Sequence, residues 1–181
     1  MSAPALKLCK QRERAGLKGP RAPEWLAAQG IVLPAASNTW AHSDTLLVAR
    51  LGQLEFFLEG TVAGAALKRI SASLDQRPTG VYPVPREDWG FLLGGDRVHD
   101  VLAQVCNVNF AALPLHSHPV IMTLMIGVAV LVVPQALEVG QGGAGERQYR
   151  IWCDPTYGPY LGESLGAVVV ECGGRYTGVS G

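Results

Sequence analysis

Charged side chains are scarce in this chain of 181 residues, at 17% against roughly 25% in typical soluble proteins, while hydrophobic residues make up 48%. Fifteen acidic and fifteen basic residues cancel. The sequence therefore lacks the net field that would favour nucleic acid or an anionic membrane surface. Because few side chains are charged, more of the protein surface is expected to be apolar. Either a partner covers that surface or the chain is simply a globular protein rich in Gly and Ala, and both interpretations stay open.

Cysteine pairs and targeting segments are also missing. The four cysteines contain no C-x-x-C pair, which excludes a zinc knuckle and a thioredoxin-like redox motif. The first residues lack the apolar run of a signal peptide. The apolar segment 121–133 is shorter than the about 20 residues that a membrane helix needs. We expect a cytoplasmic protein with reduced thiols.

The known glycine-rich cofactor motifs are absent. Gly94 and Gly95 precede a predicted helix, but the third glycine and the G-x-G-x-x-G spacing are lacking. The glycine-rich segment 135–147 leads into neither Lys-Ser nor Lys-Thr, so it is predicted to be a flexible loop and not a phosphate loop. We expect no flavin or nicotinamide site on this chain.

The segment 89–134 organises the chain. An apolar run at 89–93 predicts a strand, and Asp96 is a plausible N-cap for the helix that follows. That helix has its apolar residues at i, i+3, i+4 and i+7, namely Val98, Val101, Leu102 and Val105. Residues 121–133 then predict a β structure in which Gly127 makes a kink or bulge rather than a turn. Together these elements predict a β-α-β unit.

The remaining patterns predict an α+β fold, with an open β-sheet and helices packed on one side. They predict a hairpin around Leu51 and Gly52, helices at 23–29, 62–74 and 155–170, and strands at 80–85 and 148–154. Pro23 suits the first turn of the first helix, and Gly30 suits the position after its end. The last strand has Tyr149, Ile151 and Cys153 on one face. The last helix has Tyr157, Tyr160, Leu161, Leu165 and Val168 on its apolar side, and the residues after Gly174 are expected to fray. Residues 21–181 are taken as one domain. Residues 1–20 are basic and predict an extended arm, which either lies across a partner or is a disordered terminus. Deleting residues 1–15 should then spare the core.

Four ordered pieces resemble the gamma-subunit family of heterotetrameric sarcosine oxidases, within the glycine-cleavage T-protein-like superfamily. The pieces are residues 16–26 (GLKGPRAPEWL), the hairpin around Leu51, residues 91–96 (FLLGGD) continuing to Val108, and residues 149–152 (YRIW) with 157–161 (YGPYL). Gly162, Glu163 and Ser164 stand where the family commonly has Trp. The delta subunit of N-methylglutamate dehydrogenase is a close alternative.

The resemblance implies a T-protein-like fold and a small, non-catalytic structural subunit. Its complex would demethylate an N-methyl amino acid such as sarcosine by flavin oxidation and pass the one-carbon unit to tetrahydrofolate. The implied partners are the larger alpha and beta subunits and a small delta subunit. The resemblance puts the sites for FAD, FMN, NAD and tetrahydrofolate on the partner subunits, and it carries no catalytic residue onto this chain.

His116 and His118 are the weak metal candidates. On a strand, residues two apart share a face, so both imidazoles could meet one ion, with His99 and Cys106 the nearest further ligands in sequence. The alternative is a solvated or interfacial loop pair. His99 is expected at the surface, and Cys106 is expected to be a structural thiol because it lies at a helix C-terminus. Two other functions remain open: a free-standing folate-binding or one-carbon-transfer domain, and a small metal-dependent enzyme using His116 and His118.

Overall fold

A computed structural model of the chain describes residues 3–9, 12–61, 64–136 and 147–178. Within these ranges the strands are β1 (Ala5–Leu8), β2 (Arg12–Lys18), β3 (Thr39–Ser43), β4 (Leu46–Arg50), β5 (Glu55–Thr61), β6 (Tyr82–Val84), β7 (Trp89–Gly94), β8 (Ile121–Met125), β9 (Val128–Ala136), β10 (Arg147–Cys153) and β11 (Arg175–Thr177). The helices are α1 (Ala22–Ala28), α2 (Ala65–Leu74), α3 (Val98–Val105) and α4 (Gly158–Glu171). The predicted α+β class is confirmed.

The chain divides into two compact units, each with its own sheet. One unit comprises Met1–Lys10 and Asp88–Gly181, and the other comprises Gln11–Glu87. The six-stranded sheet has the order β11-β1-β7-β10-β9-β8, and the five-stranded sheet has the order β3-β4-β5-β2-β6. We expected one open sheet, and the described strands form two, because apolar periodicity identifies strands without saying which of them pair. That residues 21–181 form one domain stays a prediction.

The five-stranded sheet packs with α1 and α2 around one core. Pro occupies the first turn of α1, and Gly30 follows its end with φ +78°, as predicted from the sequence. The helix predicted at 62–74 begins at Ala65, and residues 62 and 63 lie outside the described ranges. The predicted hairpin is β4 and β5, and β6 is an edge strand that contains Pro83. The core residues are Leu17, Ala22, Leu26, Ile31, Leu46, Val48, Phe56, Leu58, Leu67, Ile70, Leu74 and Val81.

In the six-stranded unit, α3 buries the stripe that its spacing predicted: Val98, Val101, Leu102 and Val105. Its N-cap, however, is Arg97 and not Asp96, and the Arg97 side chain makes no capping hydrogen bond. Gly95 already closes the turn, since the Val98 N–H donates to its carbonyl at 3.1 Å. This turn places the first helical residue one position later than the sequence pattern suggested.

Gly127 forms a turn rather than the predicted kink. Ile126 and Gly127 have φ of +50° and +79°, and Met125 pairs with Val128 across them. Positive φ at both central residues is the mark of a type I′ turn, whose twist matches an antiparallel hairpin. The Ile126 N–H donates to the Val105 carbonyl at 3.0 Å, which helps to hold a β-branched residue in the left-handed region.

The N-terminal segment is part of both sheets and not an arm. β1 lies between β11 and β7, with Leu6 fully buried, and β2 lies between β5 and β6. Deleting residues 1–15 would therefore remove one strand and half of another, and our expectation that the core is spared is corrected. The tail does not simply fray either, because β11 pairs in parallel with β1. Four-residue strands lack a periodic signal, and only their neighbours define them.

Helix α4 buries the predicted Leu161 and Leu165, but glycines and not the predicted tyrosines complete its buried face. Tyr157 and Tyr160, predicted on its apolar side, are each 52% exposed. The buried face instead consists of Gly158, Leu161, Gly162, Leu165, Gly166 and Val169. The glycines recur every four residues, and a Cβ at these positions would meet the rings of Trp89, Phe91 and Tyr176. The glycines therefore let the helix backbone approach these rings.

Candidate functional site

The two candidate metal-binding histidines do not lie on a strand. His116 belongs to a 3-10 turn, Leu115–Ser117, and His118 follows it with φ +48°. Both residues are exposed. The strand face that the metal interpretation required is not formed here, and the exposed turn fits the alternative of a solvated or interfacial loop pair. Across the described ranges, no group of three or more His, Cys, Asp or Glu residues could hold a metal ion.

A cavity of about 420 Å³ lies beside α3 and the loop that follows it. This volume is in the range of small-molecule sites. Both polar and apolar residues line it. The lining residues are His99, Asp100, Leu102, Ala103, Cys106, Asn107, Val108, Asn109, Phe110 and Ala111. We treat this cavity as the candidate functional site because it brings His99 and Cys106 to one surface.

His99 is paired rather than a plain surface residue, which corrects our expectation. Its Nε2 lies 2.7 Å from the hydroxyl of Tyr149, which is fully buried on β10. The guanidinium of Arg147 lies close enough to Tyr149 to lower the pKa of its hydroxyl, against the larger effect of burial. Either His99 Nε2 or the Tyr149 hydroxyl can be the donor in this pair, depending on the His99 tautomer.

Arg147 ties the loop that walls the cavity to β10. Its Nη1 donates to the carbonyl of Ala111 at 3.1 Å and more weakly to that of Phe110 at 3.4 Å. The Phe110 and Tyr149 rings meet edge to face with centroids 5.4 Å apart. The sequence pattern placed Tyr149 on a buried face but missed the roles of Arg147 and Tyr149. No local signal marks a bond between residues fifty positions apart.

The electrostatics of the site favour neutral groups. Burial lowers the pKa of His99, the charge of Arg147 lowers it further, and Asp100 opposes both. Burial raises the pKa of Tyr149, against the hydrogen bond and charge of Arg147. Asp100 is itself paired with Arg97, with Nε and Oδ2 at 2.8 Å. The cavity therefore presents an uncharged imidazole beside an ion pair.

Two of the three buried thiols of this unit, Cys106 and Cys153, are not arranged as nucleophiles. Cys106 follows the last residue of α3 and is 8% exposed, with its Sγ 3.7 Å from the Thr123 hydroxyl. It lies at a helix C-terminus, where the helix dipole opposes a thiolate. Burial, Asp88 and Asp154 raise the pKa of Cys153 to about 11. Both positions fit structural thiols.

The lowered pKa of His99 predicts a loss of stability in mild acid. In the unfolded chain the pKa returns to its ordinary value of 6.5, so the unfolded state takes up the proton more readily. The free energy of unfolding should fall as the pH drops through 6.5 towards the lower folded pKa. Urea denaturation from about pH 7 down to about pH 5 measures this slope.

His99→Gln provides the comparison because glutamine keeps a hydrogen-bonding side chain and cannot titrate. The variant should lose stability less steeply below about pH 6.5, and above about pH 7 the two proteins should have equal slopes. Equal slopes over the whole range would show that His99 does not contribute to the acid sensitivity.

The chain is similar to known proteins in its fold, whereas the searches by sequence found no match. No protein-family model matches the chain, and the search of curated proteins finds no match. A chain of the heterotetrameric sarcosine oxidase from Corynebacterium sp. U-96, solved in complex with pyrrole 2-carboxylate, aligns with a TM-score of 0.69 and 22% identity. The alignment covers 96% of this chain and 87% of that one.

The glycine cleavage system aminomethyltransferase T from Bartonella henselae aligns with a TM-score of 0.59 and 17% identity. It covers 91% of this chain, which spans 45% of that protein. No helix in the described ranges is long and apolar enough to cross a membrane. The resemblance predicted from the sequence is confirmed for the fold: the chain has the T-protein-like fold found in a heterotetrameric sarcosine oxidase and in an aminomethyltransferase.

Proposed function

We propose that this chain is a small, non-catalytic subunit of a heterotetrameric, flavin-dependent oxidase or dehydrogenase that demethylates an N-methyl amino acid such as sarcosine. The alignment with the sarcosine oxidase chain carries the proposal, because it extends over 96% of this chain and 87% of that one. The lower TM-score with the aminomethyltransferase, 0.59 against 0.69, supports the same choice.

The contacts around the cavity support a structural role. His99 pairs with Tyr149, Asp100 with Arg97, and Arg147 with two loop carbonyls. The His99 and Arg147 contacts hold α3 and the loop that follows it against β10. We propose that FAD, FMN, NAD and tetrahydrofolate bind to the partner subunits, the larger alpha and beta chains and a small delta chain.

Exposed apolar side chains support assembly with those partners. Eight large hydrophobic residues are exposed in the described ranges: Val32, Leu54, Tyr82, Met122, Leu124, Tyr157, Tyr160 and Val170. Aromatic side chains and methionine are enriched at protein interfaces. A stable interface would bury more than about 1,000 Å² in total.

Affinity purification of the tagged chain from its native cells, followed by native mass spectrometry, tests the proposal. We expect a complex that contains larger flavin-bearing chains and consumes oxygen or reduces an acceptor when sarcosine is added. The isolated chain is the control, and it should show neither a flavin absorbance spectrum nor turnover. N-Methylglutamate in a parallel assay distinguishes the two substrates suggested by the sequence resemblance.

A monodisperse isolated chain that carries flavin at near-stoichiometric occupancy, or that turns over the substrate alone, would refute the non-catalytic assignment. Recovery of the chain without any flavoprotein would refute the heteromeric assignment. These two outcomes are separable because the first concerns the isolated chain and the second concerns the complex.

The alignment with the aminomethyltransferase favours a second candidate, a folate-binding or one-carbon-transfer domain. Isothermal titration of the isolated chain with tetrahydrofolate tests it directly. Saturable binding that Tyr149→Phe leaves intact and His99→Ala weakens would place the folate at the cavity. Absence of binding by a folded chain would eliminate this candidate.

A further inference from the structure

The outer edge of the six-stranded sheet is an uncharged hairpin. β8 is the edge strand, and it pairs only with β9 among the described strands. Residues 121–136 contain no Asp, Glu, Lys, Arg or His. On its outward face, Met122 and Leu124 are 56% and 59% exposed. The unpaired N–H and C=O groups of such an edge strand can hydrogen-bond to a strand of another chain.

Two of the other three edges in the described ranges carry features that discourage such pairing. β6 contains Pro83, which has no N–H to donate. β11 is three residues long and begins with Arg175. Natural proteins use proline, short strands and charge to block edge pairing. β8 has five residues and none of these features.

The turn fixes which backbone groups of β8 point outwards. In a two-residue hairpin the residues that flank the turn, here Met125 and Val128, are hydrogen-bonded to each other. The backbone N–H and C=O groups of successive residues point to opposite sides of a strand. Those of Thr123 and Ile121 therefore also point towards β9. The N–H and C=O groups of Met122 and Leu124 therefore face away from β9, at the open edge.

This edge is complementary to itself. If two copies pair antiparallel about a two-fold axis at Thr123, Met122 of one copy lies opposite Leu124 of the other, and the reverse pair forms at the same time. Both are hydrogen-bonding positions, so the pairing makes four N–H···O=C bonds. The same register places the exposed Met122 and Leu124 side chains of both copies in one apolar cluster.

We propose that the isolated chain self-associates through β8, forming a two-fold dimer in which two six-stranded sheets join into one sheet of twelve strands. The inference concerns the isolated chain and does not require the proposed function, although Met122 and Leu124 are also among the exposed residues that support assembly with a partner. Because the contact consists of two short strands, the dimer belongs to the small, weak class of interfaces and depends on protein concentration.

Sedimentation velocity of the purified chain over a wide range of concentration tests the dimer. The wild type should shift from monomer to dimer as the concentration rises. The double variant Met122→Lys with Leu124→Lys should associate at least about tenfold more weakly. In this variant the lysine at position 122 of one copy lies opposite the lysine at position 124 of the other, and the two repel. The control is Val170→Lys, because Val170 is 58% exposed but lies on α4. This control should dimerise as the wild type does.

Leu124→Pro isolates the backbone contribution. Proline is tolerated on an edge strand where its missing N–H faces outwards, so the monomer should keep its fold, as circular dichroism would verify. Two of the four intermolecular bonds are lost, and association should weaken. Hydrogen exchange should show protection of the Met122 and Leu124 amides that rises with concentration in the wild type.

Two results would overturn the proposal. One is a wild type that stays monomeric throughout, even if β8 becomes protected when a different subunit binds. The other is a dimer that both the double lysine variant and Leu124→Pro leave as stable as Val170→Lys does.

Discussion

Replacing Glu59 by leucine should lower the free energy of unfolding by about 3–5 kcal/mol, the cost of removing one partner of a buried ion pair. Glu59 is 2% exposed on β5, and its Oε2 lies 2.9 Å from Nε of Arg14, which is 8% exposed. Arg12 adds a longer contact of 3.8 Å. Without the carboxylate, the Arg14 guanidinium stays buried and loses its closest counter-charge. Urea denaturation measures the loss.

Glu55→Leu is a control on the same strand. The Glu55–Arg86 pair has a similar distance, 3.3 Å, but Glu55 is 41% exposed, so its loss should cost less than about 1 kcal/mol. The double variant Arg14→Met with Glu59→Leu should regain much of the stability, because it leaves no buried charge. Equal costs for Glu55→Leu and Glu59→Leu would contradict the role of burial.

Gly166→Leu in α4 should lower the free energy of unfolding by about 1–3 kcal/mol, the usual cost of overpacking. A Cβ at this position would lie 2.4 Å from Cδ1 of Tyr176, well inside van der Waals contact. The helix would have to move, or Tyr176 would be pushed out of β11. This loss would appear despite the about 1 kcal/mol that replacing a helical glycine normally contributes. Thermal unfolding followed by circular dichroism gives the measurement.

Ala167→Leu is the matched control, since Ala167 is the next residue of the same helix and is exposed. It should change stability by no more than about 0.5 kcal/mol. Gly162→Ala offers a graded test, because its Cβ would meet Phe91 Cε1 at 3.0 Å and the Tyr176 hydroxyl at 2.9 Å. If Gly166→Leu were as stable as Ala167→Leu, the glycines would not be needed for close packing.

Helices and strands whose apolar residues recur at a regular spacing could be predicted from the sequence. The stripe of α3, the alternation in β10 that buries Tyr149, Ile151 and Cys153, and the hairpin of β4 and β5 all appear as expected. In each case the residues that define the period are neighbours in sequence and bury one face. The resemblance to a T-protein-like fold rested on the order of such elements, and the alignments confirm that fold.

The candidate cavity could be predicted only in part. Leu102 and Cys106 were assigned to a helix near its end, yet His99 was expected to be a plain surface residue. Its partner Tyr149 lies fifty positions away on a buried strand. The weak metal interpretation of His116 and His118 assumed a strand, whereas the chain forms a 3-10 turn there.

The sequence by itself determined the α+β class, the stripe of α3 and the uncharged character of residues 121–136. Local period and composition express these properties without reference to distant residues. Only the tertiary structure decided that β1 and β11 join a sheet, that Ile126 and Gly127 form a turn, and that glycines line the buried face of α4. These outcomes depend on hydrogen bonds and packing between segments far apart in the chain, and such contacts leave no periodic pattern in either segment.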